Sequence, residues 1–269
     1  MNMHIKRWLT GIIALPVLIF IIGFCPRWIF YLLLYFASVA GLAEFYRITV
    51  PDLPSTGKWT GHALSLLLFL CIYKGTIYLL PAVIALWAFI PMALFLFMPP
   101  SPGKHSTGDL AKTILGPLYI SLPLGMLMIL DRYPEGNIWI FFILAVVFAG
   151  DTGAFYSGKL FGKHKLYESI SPKKTWEGAI GGLFCSIIAA FWFLRIVRIH
   201  EIDYSIMALV IVLSVTGQLG DLAESMLKRN SGIKDSSRLL PGHGGILDRI
   251  DGLLFAVPAL YIYLHLCIT

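Results

Sequence analysis

Charged side chains are scarce in this chain. Asp, Glu, Lys and Arg together make up 13% of its 269 residues, about half of the share that soluble domains carry. The net charge of +6 is modest, and no RNA- or DNA-binding module accompanies it. We therefore expect no nucleic acid among the partners. The positive charge instead suits an anionic membrane surface and phosphate-bearing substrates.

Cysteine is also rare, and its spacing excludes two common uses. The four cysteines are scattered and lie mostly in or beside apolar segments. A CxxC pair or a Cys/His cluster is lacking, so neither a disulfide framework nor a zinc site is indicated. We interpret the cysteines as small buried hydrophobic residues.

Long apolar runs are what the chain has in abundance. Runs of about 17–25 residues recur along it, the length needed to cross a ~30 Å hydrocarbon core, whereas the alternating pattern of an outer-membrane barrel is missing. The pattern predicts an all-α, polytopic integral membrane protein with nine transmembrane helices. Their approximate ranges are 8–24, 28–46, 62–79, 82–98, 113–130, 138–157, 178–197, 206–226 and 250–268.

Two parts of this assignment leave alternatives. Lys74, Gly75 and Pro81 interrupt the region 62–98, and a single kinked span there would reduce the total to eight. The run 8–24 resembles a signal peptide, but Cys25-Pro26-Arg27 offers no small-residue cleavage site. We therefore expect a retained first span.

The distribution of Lys and Arg gives an orientation. With nine spans, 16 of the 21 cations lie on the side of the N-terminus, including those of the connections 158–177 and 227–249. The positive-inside rule then places the N-terminus and both connections in the cytoplasm. We expect residues 1–110 to form a transmembrane scaffold and residues 111–269 to form the catalytic region. Glu44, Arg47, Arg195 and Arg198 are interpreted as interfacial anchors.

Four polar residues form a stripe near the end of the eighth predicted helix. Asp221, Glu224, Ser225 and Lys228 follow an i, i+3, i+4, i+7 spacing, which puts them on one face. Asp221 lies within an apolar run, where an unpaired carboxylate costs several kcal/mol. It must therefore face protein, water or a metal, and a structural ion pair with a nearby Lys or Arg is the alternative.

Two further carboxylates, Asp248 and Asp251, begin the last apolar segment at i and i+3. Carboxylate oxygens suit Mg²⁺, which is usually held by one or two carboxylates together with substrate phosphates. We therefore predict a metal site formed by Asp221, Asp248 and Asp251. The alternative for Asp248 is helix capping, since Asp favours the first helical turn.

Two polar connections flank these helices. Pro241-Gly242-His243-Gly244-Gly245 is a turn in which glycines let backbone amides approach a phosphate. His243 either binds phosphate, donates a proton or makes a loop hydrogen bond. In the segment 171–178, Lys173 and Lys174 supply positive charge, and Ser171 or Thr175 is expected to cap the following helix. The alternative for this basic segment is contact with lipid headgroups.

Asp151 is a third acid within an apolar segment. It is either part of a nucleotide or metal site or the neutralising partner of a lysine such as Lys159. Gly178 and Gly182 are interpreted as a close-packing helix face. Carboxylates, clustered cations and a glycine turn at a membrane surface together indicate phosphoryl or nucleotidyl transfer, in which the protein mainly positions reactants and neutralises charge.

The 27 residues from Ser225 to Asp251 resemble the signature of the phosphatidate cytidylyltransferases, also called CDP-diacylglycerol synthases. The matching positions are Ser225, Lys228, Arg229, Lys234, Asp235, Pro241, His243, Gly244, Gly245, Asp248, Arg249, Ile250 and Asp251. The segment 171–178 also looks typical of that family. The resemblance extends more loosely over the last five spans, whereas the first four match only as hydrophobic helices.

The resemblance implies the transfer of a cytidylyl group from CTP to phosphatidic acid, giving CDP-diacylglycerol and pyrophosphate, in a bacterial cytoplasmic membrane. It implies Mg²⁺ as cofactor, with a second cation left open, and it suggests a homodimer. The implied catalytic residues are Asp221, Asp248, Lys228 and Lys173. The implied substrate-binding residues are Lys174, Ser225, Arg229, Lys234, Asp235, His243, Arg249 and Asp151.

Two other functions stay open at this point. A CTP-dependent lipid or polyprenol kinase would share these features but transfer the γ-phosphoryl group. A transporter of anionic solutes would place its charges in broken helices at the midplane and show inverted repeats; neither is visible here. The CDP-alcohol phosphotransferases are disfavoured because the chain lacks a DGxxAR segment.

Overall fold

The computed structural model describes residues 15–97, 107–233, 236–237 and 244–267. The chain forms two compact units. Residues 1–129 and 231–249 belong to the first, and residues 130–230 and 250–269 belong to the second. The 231–249 segment therefore interrupts the second unit in the sequence. The predicted functional division near residue 110 stays a prediction.

The first unit is helical. Its elements are α1 (Leu15–Phe24), α2 (Arg27–Thr49), α3 (Ser55–Tyr73), a 3₁₀ turn (Ile77–Leu79), α4 (Leu80–Leu96), α5 (Thr107–Tyr119) and α6 (Ser121–Leu130), which ends at the boundary of the units. Three of its buried hydroxyls contact one another: Ser121 Oγ lies 2.9 Å from Ser38 Oγ and 2.7 Å from Ser65 Oγ. Hydroxyl pairs of this kind remove the cost of burying a polar group in an apolar core.

The second unit contains four long helices and one hairpin. Its elements are α7 (Gly136–Phe161), β1 (Lys165–Tyr167), β2 (Ser171–Thr175), α8 (Trp176–Val197), α9 (Tyr204–Asn230) and α10 (Leu247–Cys267), whose first turn still belongs to the first unit. Asp203 caps α9, because its carboxylate accepts hydrogen bonds from the Ile206 N–H and the Ser205 hydroxyl. These bonds hold the pKa of Asp203 below its ordinary value, since they favour the charged form.

The α-helical membrane class is confirmed. Within the described residues, seven helical stretches are long and apolar enough to cross a membrane: Arg27–Thr49, Ile77–Leu96, Thr107–Leu130, Gly136–Phe161, Trp176–Val197, Tyr204–Asn230 and Leu247–Cys267. Region 62–98 holds two helices rather than one kinked helix, since Gly75 adopts a φ of 77° between α3 and α4. The beginning of the first predicted span lies outside the described residues.

The antiparallel hairpin of β1 and β2 was not predicted. Lys165 pairs with Thr175 and Tyr167 with Ser171, so the segment interpreted as a basic connection is partly ordered β-structure. Its strands have three and five residues, too short and too polar to show the alternation that marks a strand in a sequence. The predicted cap of α8 is confirmed for Thr175, whose Oγ1 accepts the Gly178 N–H at 3.1 Å.

Small residues let α7 and α8 approach closely, as the spacing of Gly178 and Gly182 predicts. A Cβ atom at Gly178 would lie 2.9 Å from the Ala154 carbonyl oxygen, and one at Gly182 would lie 2.8 Å from the Gly150 carbonyl oxygen. Backbone atoms of α7 thus occupy the space that side chains would need. The close-packing interpretation of these glycines is confirmed, and their packing fixes the start of α8 beside the end of α7.

We expect Gly182→Leu to destabilise the protein by about 1–3 kcal/mol, because overpacking must separate two backbones. Thermal unfolding in detergent measures the change. Phe184→Leu is the control, since Phe184 is 63% exposed on the same helix. An unchanged unfolding temperature for Gly182→Leu would contradict the packing described here.

Candidate active site

A cleft of about 470 Å³ opens in the second unit. It is formed by the end of α7, the hairpin, the start of α8 and the polar part of α9. Its lining residues are Asp151, Ala154, Phe155, Gly158, Lys159, Gly162, Lys165, Leu166, Lys173, Lys174, Thr175, Gly178, Ala179, Gln218 and Asp221. The volume lies in the range of small-molecule sites, roughly 300–1,000 Å³. We call this the lysine cleft.

Cations outnumber carboxylates along this lining. Lys159, Lys165, Lys173 and Lys174 contribute positive charge, against Asp151 and Asp221. Three of the predicted site residues, Asp151, Lys173 and Lys174, are therefore brought together with Asp221. An excess of ammonium groups in a concave site raises the local concentration of anions. The lining suits a ligand that carries several negative charges.

A network of hydrogen bonds holds the hairpin in place. Glu177, in the first turn of α8, accepts the backbone N–H groups of Lys163 and His164 and lies 2.6 Å from His164 Nδ1. Lys165 Nζ donates to the Pro172 carbonyl oxygen at 2.6 Å. The two lysines of β2 are thus carried on a strand that is anchored at both ends, which limits the entropy lost when they bind a ligand.

Lys174 and Asp221 form an ion pair across the cleft. Lys174 Nζ lies 2.7 Å from Asp221 Oδ2, and both side chains are partly exposed. The ion-pair alternative for Asp221 is therefore realised in the structure. Solvent-accessible pairs of this kind contribute only about 0–1 kcal/mol to stability, so an incoming cation or phosphate can rearrange this one at low cost.

Three carboxylates gather next to the cleft. Asp221, Glu224 and Asp251 each have an oxygen within 4.8 Å of the other two. Close packing of α9 against α10 brings them together, since the Asp251 carbonyl oxygen lies where a side chain at Gly220 would extend. Glu224 is only 1% exposed and pairs with Lys228 one turn later. We call this set the acidic cluster.

The donor set of the acidic cluster fits a hard divalent cation. Carboxylate oxygens are the ligands that Mg²⁺ prefers, usually one or two per ion beside substrate phosphates. Carboxylates this close together repel one another unless a cation compensates them, and Lys174 and Lys228 supply part of that charge. Asp221 belongs both to the cluster and to the cleft. A cation held here would therefore border the volume that the lysines line.

Asp248, the other predicted metal ligand, lies in the first unit. Its Oδ2 accepts hydrogen bonds from the Gly245 N–H at 2.7 Å, the Ser236 N–H at 3.0 Å and the Ser236 hydroxyl at 2.7 Å. The capping alternative is thus present in the structure. Gly244 has a φ of 79°, a conformation that favours glycine, so the predicted turn is confirmed at its described end. The metal-binding role of Asp248 stays a prediction.

The other predicted site residues have separate placements. Ser225 is half-buried on α9 near the acidic cluster, and Arg249 is exposed in the first turn of α10. Arg229 Nε donates to the Ile170 carbonyl oxygen at 3.3 Å, which links the end of α9 to the hairpin. Lys234, Asp235 and His243 lie outside the described residues.

The interpretation of Glu44 as an interfacial anchor is wrong, whereas that of Arg47, which is exposed in the last turn of α2, stays a prediction. Glu44 is 6% exposed, and its two oxygens accept hydrogen bonds from Ser236 and Ile246. The sequence contained a sign of a special role for Glu44, because it is an acid inside an apolar run. The same criterion singled out Asp151. Gln218 and Glu224 were also missed as site residues, although both continue the stripe that contains Asp221.

Comparison with known proteins agrees with this geometry. The family model described as "Cytidylyltransferase family" matches residues 5–267. Similar curated proteins include the phosphatidate cytidylyltransferases of Staphylococcus aureus (strain COL), S. saprophyticus and S. epidermidis, each 43% identical over 164 residues. Those residues are 61% of this chain and 62% of each relative, so the match spans less than two thirds of the relatives' length. Since the family model covers nearly every residue, the chain belongs to the cytidylyltransferase family.

Proposed function

We propose that this protein transfers a cytidylyl group from CTP to phosphatidic acid, giving CDP-diacylglycerol and pyrophosphate. The observation that carries the proposal is the sharing of Asp221 between the acidic cluster and the lysine cleft. Asp221 thus belongs to a set of carboxylates suited to a divalent cation. It also lines a cationic cleft of nucleotide size. The names of the curated relatives supply the nucleotide and the lipid.

The proposed reaction needs little proton transfer. A phosphate oxygen of phosphatidic acid is ionised near neutral pH; it attacks the α-phosphorus of CTP in line with the bond to the β-phosphate. The new P–O bond forms as the bond to the bridging oxygen breaks, and pyrophosphate leaves with that bonding pair. Lys159, Lys165, Lys173 and Lys174 are placed to neutralise the phosphate charges, and their anchoring on α7 and the hairpin limits reorganisation.

Mg²⁺ is the proposed cofactor, held by Asp221, Glu224 and Asp251, with Asp248 retained as a predicted ligand and a second cation left open. When bound, it supplies Lewis-acid stabilisation of charge on the phosphoryl oxygens. Lys174 and Lys228 pair with two of these carboxylates. These pairs hold the carboxylates in position on α9 and lower their mutual repulsion.

The proposal includes a setting in the membrane. We propose nine spans in a bacterial cytoplasmic membrane, with the N-terminus and the lysine cleft facing the cytoplasm, as the 16-to-5 distribution of Lys and Arg favours. CTP is available on that side. A homodimer is proposed from the family resemblance alone.

An assay with CTP labelled at one phosphate tests the reaction directly. Purified protein in detergent is given phosphatidic acid, Mg²⁺ and CTP labelled at either the α- or the γ-phosphate, with EDTA as the control. We expect the α-label to enter the lipid, the γ-label to leave as pyrophosphate, and both to stop on chelation. Transfer of the γ-label to the lipid would establish a kinase instead.

Neutralising substitutions test the acidic cluster. We expect Asp221→Asn, Glu224→Gln and Asp251→Asn each to reduce turnover at least a hundredfold, on the order of the loss of one preorganised electrostatic contact. Asp248→Asn tests the remaining predicted ligand in the same way. Thermal stabilisation by Mg²⁺ gives a readout besides activity, and we expect it to be lost in the cluster variants.

Asp52→Asn, at an exposed turn residue, is the control for these variants. A folded cluster variant that keeps both its turnover and its stabilisation by Mg²⁺ would remove that residue from the metal assignment. Retained stabilisation with lost turnover would assign the residue to the reacting groups instead.

Lys174→Gln tests the lysine cleft. We expect the KM for CTP to rise roughly tenfold, because one charge-assisted contact of about 1.4 kcal/mol is lost. Lys163→Gln is the control, since Lys163 is an exposed lysine of the same connection that does not belong to the lining described above. An equal effect of the two substitutions would indicate general charge attraction rather than a contact in the cleft.

A further inference from the structure

Glu44 is a buried carboxylate whose hydrogen bonds all reach one distant segment. Its Oε1 accepts the Ser237 hydroxyl at 2.5 Å and the Ile246 N–H at 3.1 Å. Its Oε2 accepts the Ser236 hydroxyl and the Leu247 N–H, both at 2.9 Å. Two hydroxyls and two backbone amides therefore surround a side chain that is 6% exposed.

The donors around Glu44 suit a side chain that accepts hydrogen bonds at both of its oxygens. Ile246 and Leu247 lie at the N-terminus of α10, where N–H groups lack partners within the helix and the helix dipole favours a negative charge. Hydrogen bonds to a charged acceptor are roughly twice as strong as neutral ones. A side chain that could not accept at both oxygens would leave several of these buried donors poorly paired. Glu44 thus joins Ser236 and Ser237 to the start of α10.

The Ser236 hydroxyl lies between Glu44 and Asp248, and its single proton is shared by the two carboxylates. Its Oγ lies 2.9 Å from Glu44 Oε2 and 2.7 Å from Asp248 Oδ2. The Ser236 backbone is fixed as well, because its N–H donates to Asp248 and its carbonyl oxygen accepts from Arg47. A side chain at Gly245 would collide with Glu44 and the Ser236 hydroxyl, so glycine is required for this approach.

We propose that Glu44 is a positioning residue for the reaction: through Ser236 it fixes the orientation of the Asp248 carboxylate. The inference rests on the proposed function, in which Asp248 contributes to catalysis. Glu44 itself touches neither substrate nor metal in this scheme. Its effect is therefore expected in kcat rather than in the KM for CTP, since misplacement of a catalytic group by about 1 Å can reduce the rate a hundredfold.

The test compares Glu44→Gln with wild-type protein in detergent. Glutamine keeps the size of the side chain but turns an NH₂ group toward one pair of donors. We expect kcat per folded molecule to fall about 10- to 100-fold, with the KM for CTP within about twofold. Glu44→Asp retains the charge and is expected to recover part of the rate. A purely structural residue would lower the folded fraction and leave kcat per folded molecule unchanged.

A double-mutant cycle tests the route through Ser236. If Glu44 acts through this hydroxyl, adding Glu44→Gln to Ser236→Ala reduces kcat little further, because coupled sites are not additive. Fully additive effects would overturn the proposed route. Glu201→Gln is the matched control, since Glu201 is an exposed glutamate between α8 and α9.

Hydrogen exchange separates this inference from the proposed function. We expect Glu44→Gln to accelerate exchange at the Ile246 and Leu247 amides, and not along α8, whether or not the protein makes CDP-diacylglycerol. Unchanged exchange together with wild-type kcat would overturn the role of Glu44. Faster exchange in a protein whose wild type forms no CDP-lipid would instead locate the failure in the proposed function.

Discussion

Carboxylates inside an apolar protein must be compensated where they lie, because hydration is lost and isolated charges there are costly. This chain compensates its carboxylates in two ways. Glu44 is surrounded by hydroxyl and amide donors supplied by a segment about 190 residues away. Glu224 and Asp221 are instead paired with lysines. Hydrogen bonds from the backbone give a fixed structural anchor, whereas lysine pairs can be exchanged for a cation or a phosphate.

Small residues make this compensation possible. Gly150, Gly178 and Gly182 bring α7 and α8 within backbone contact, and Gly217, Gly220 and Gly252 do the same for α9 and α10. Larger side chains at these glycines would separate the helices and move Asp251 away from Asp221 and Glu224. They would also move β2, whose lysines depend on the start of α8. The glycine-rich composition of the second unit therefore determines the shape of the acidic cluster as well as its packing.

The sequence predicted the helices well because each is an apolar run of a length set by the membrane. The stripe on α9 was also predictable, since it follows from helical periodicity alone. The hairpin was not, because its strands are short and polar. The approach of Asp251 to Asp221 and Glu224 depends on packing between α9 and α10, which the spacing along one helix does not report. The residues that donate hydrogen bonds to Glu44 could not be predicted either, because they lie about 190 residues away in the sequence.

The division of the chain has a consequence for biosynthesis. Glu44 is translated long before Ser236, Ser237, Ile246 and Leu247, which supply its hydrogen bonds. A unit completed by distant residues closes late, because the entropy of a long loop must be overcome before its contacts form. The first unit therefore reaches its final form only after α2 to α9 have been synthesised. Until then Glu44 lies without the four donors that surround it in the folded protein.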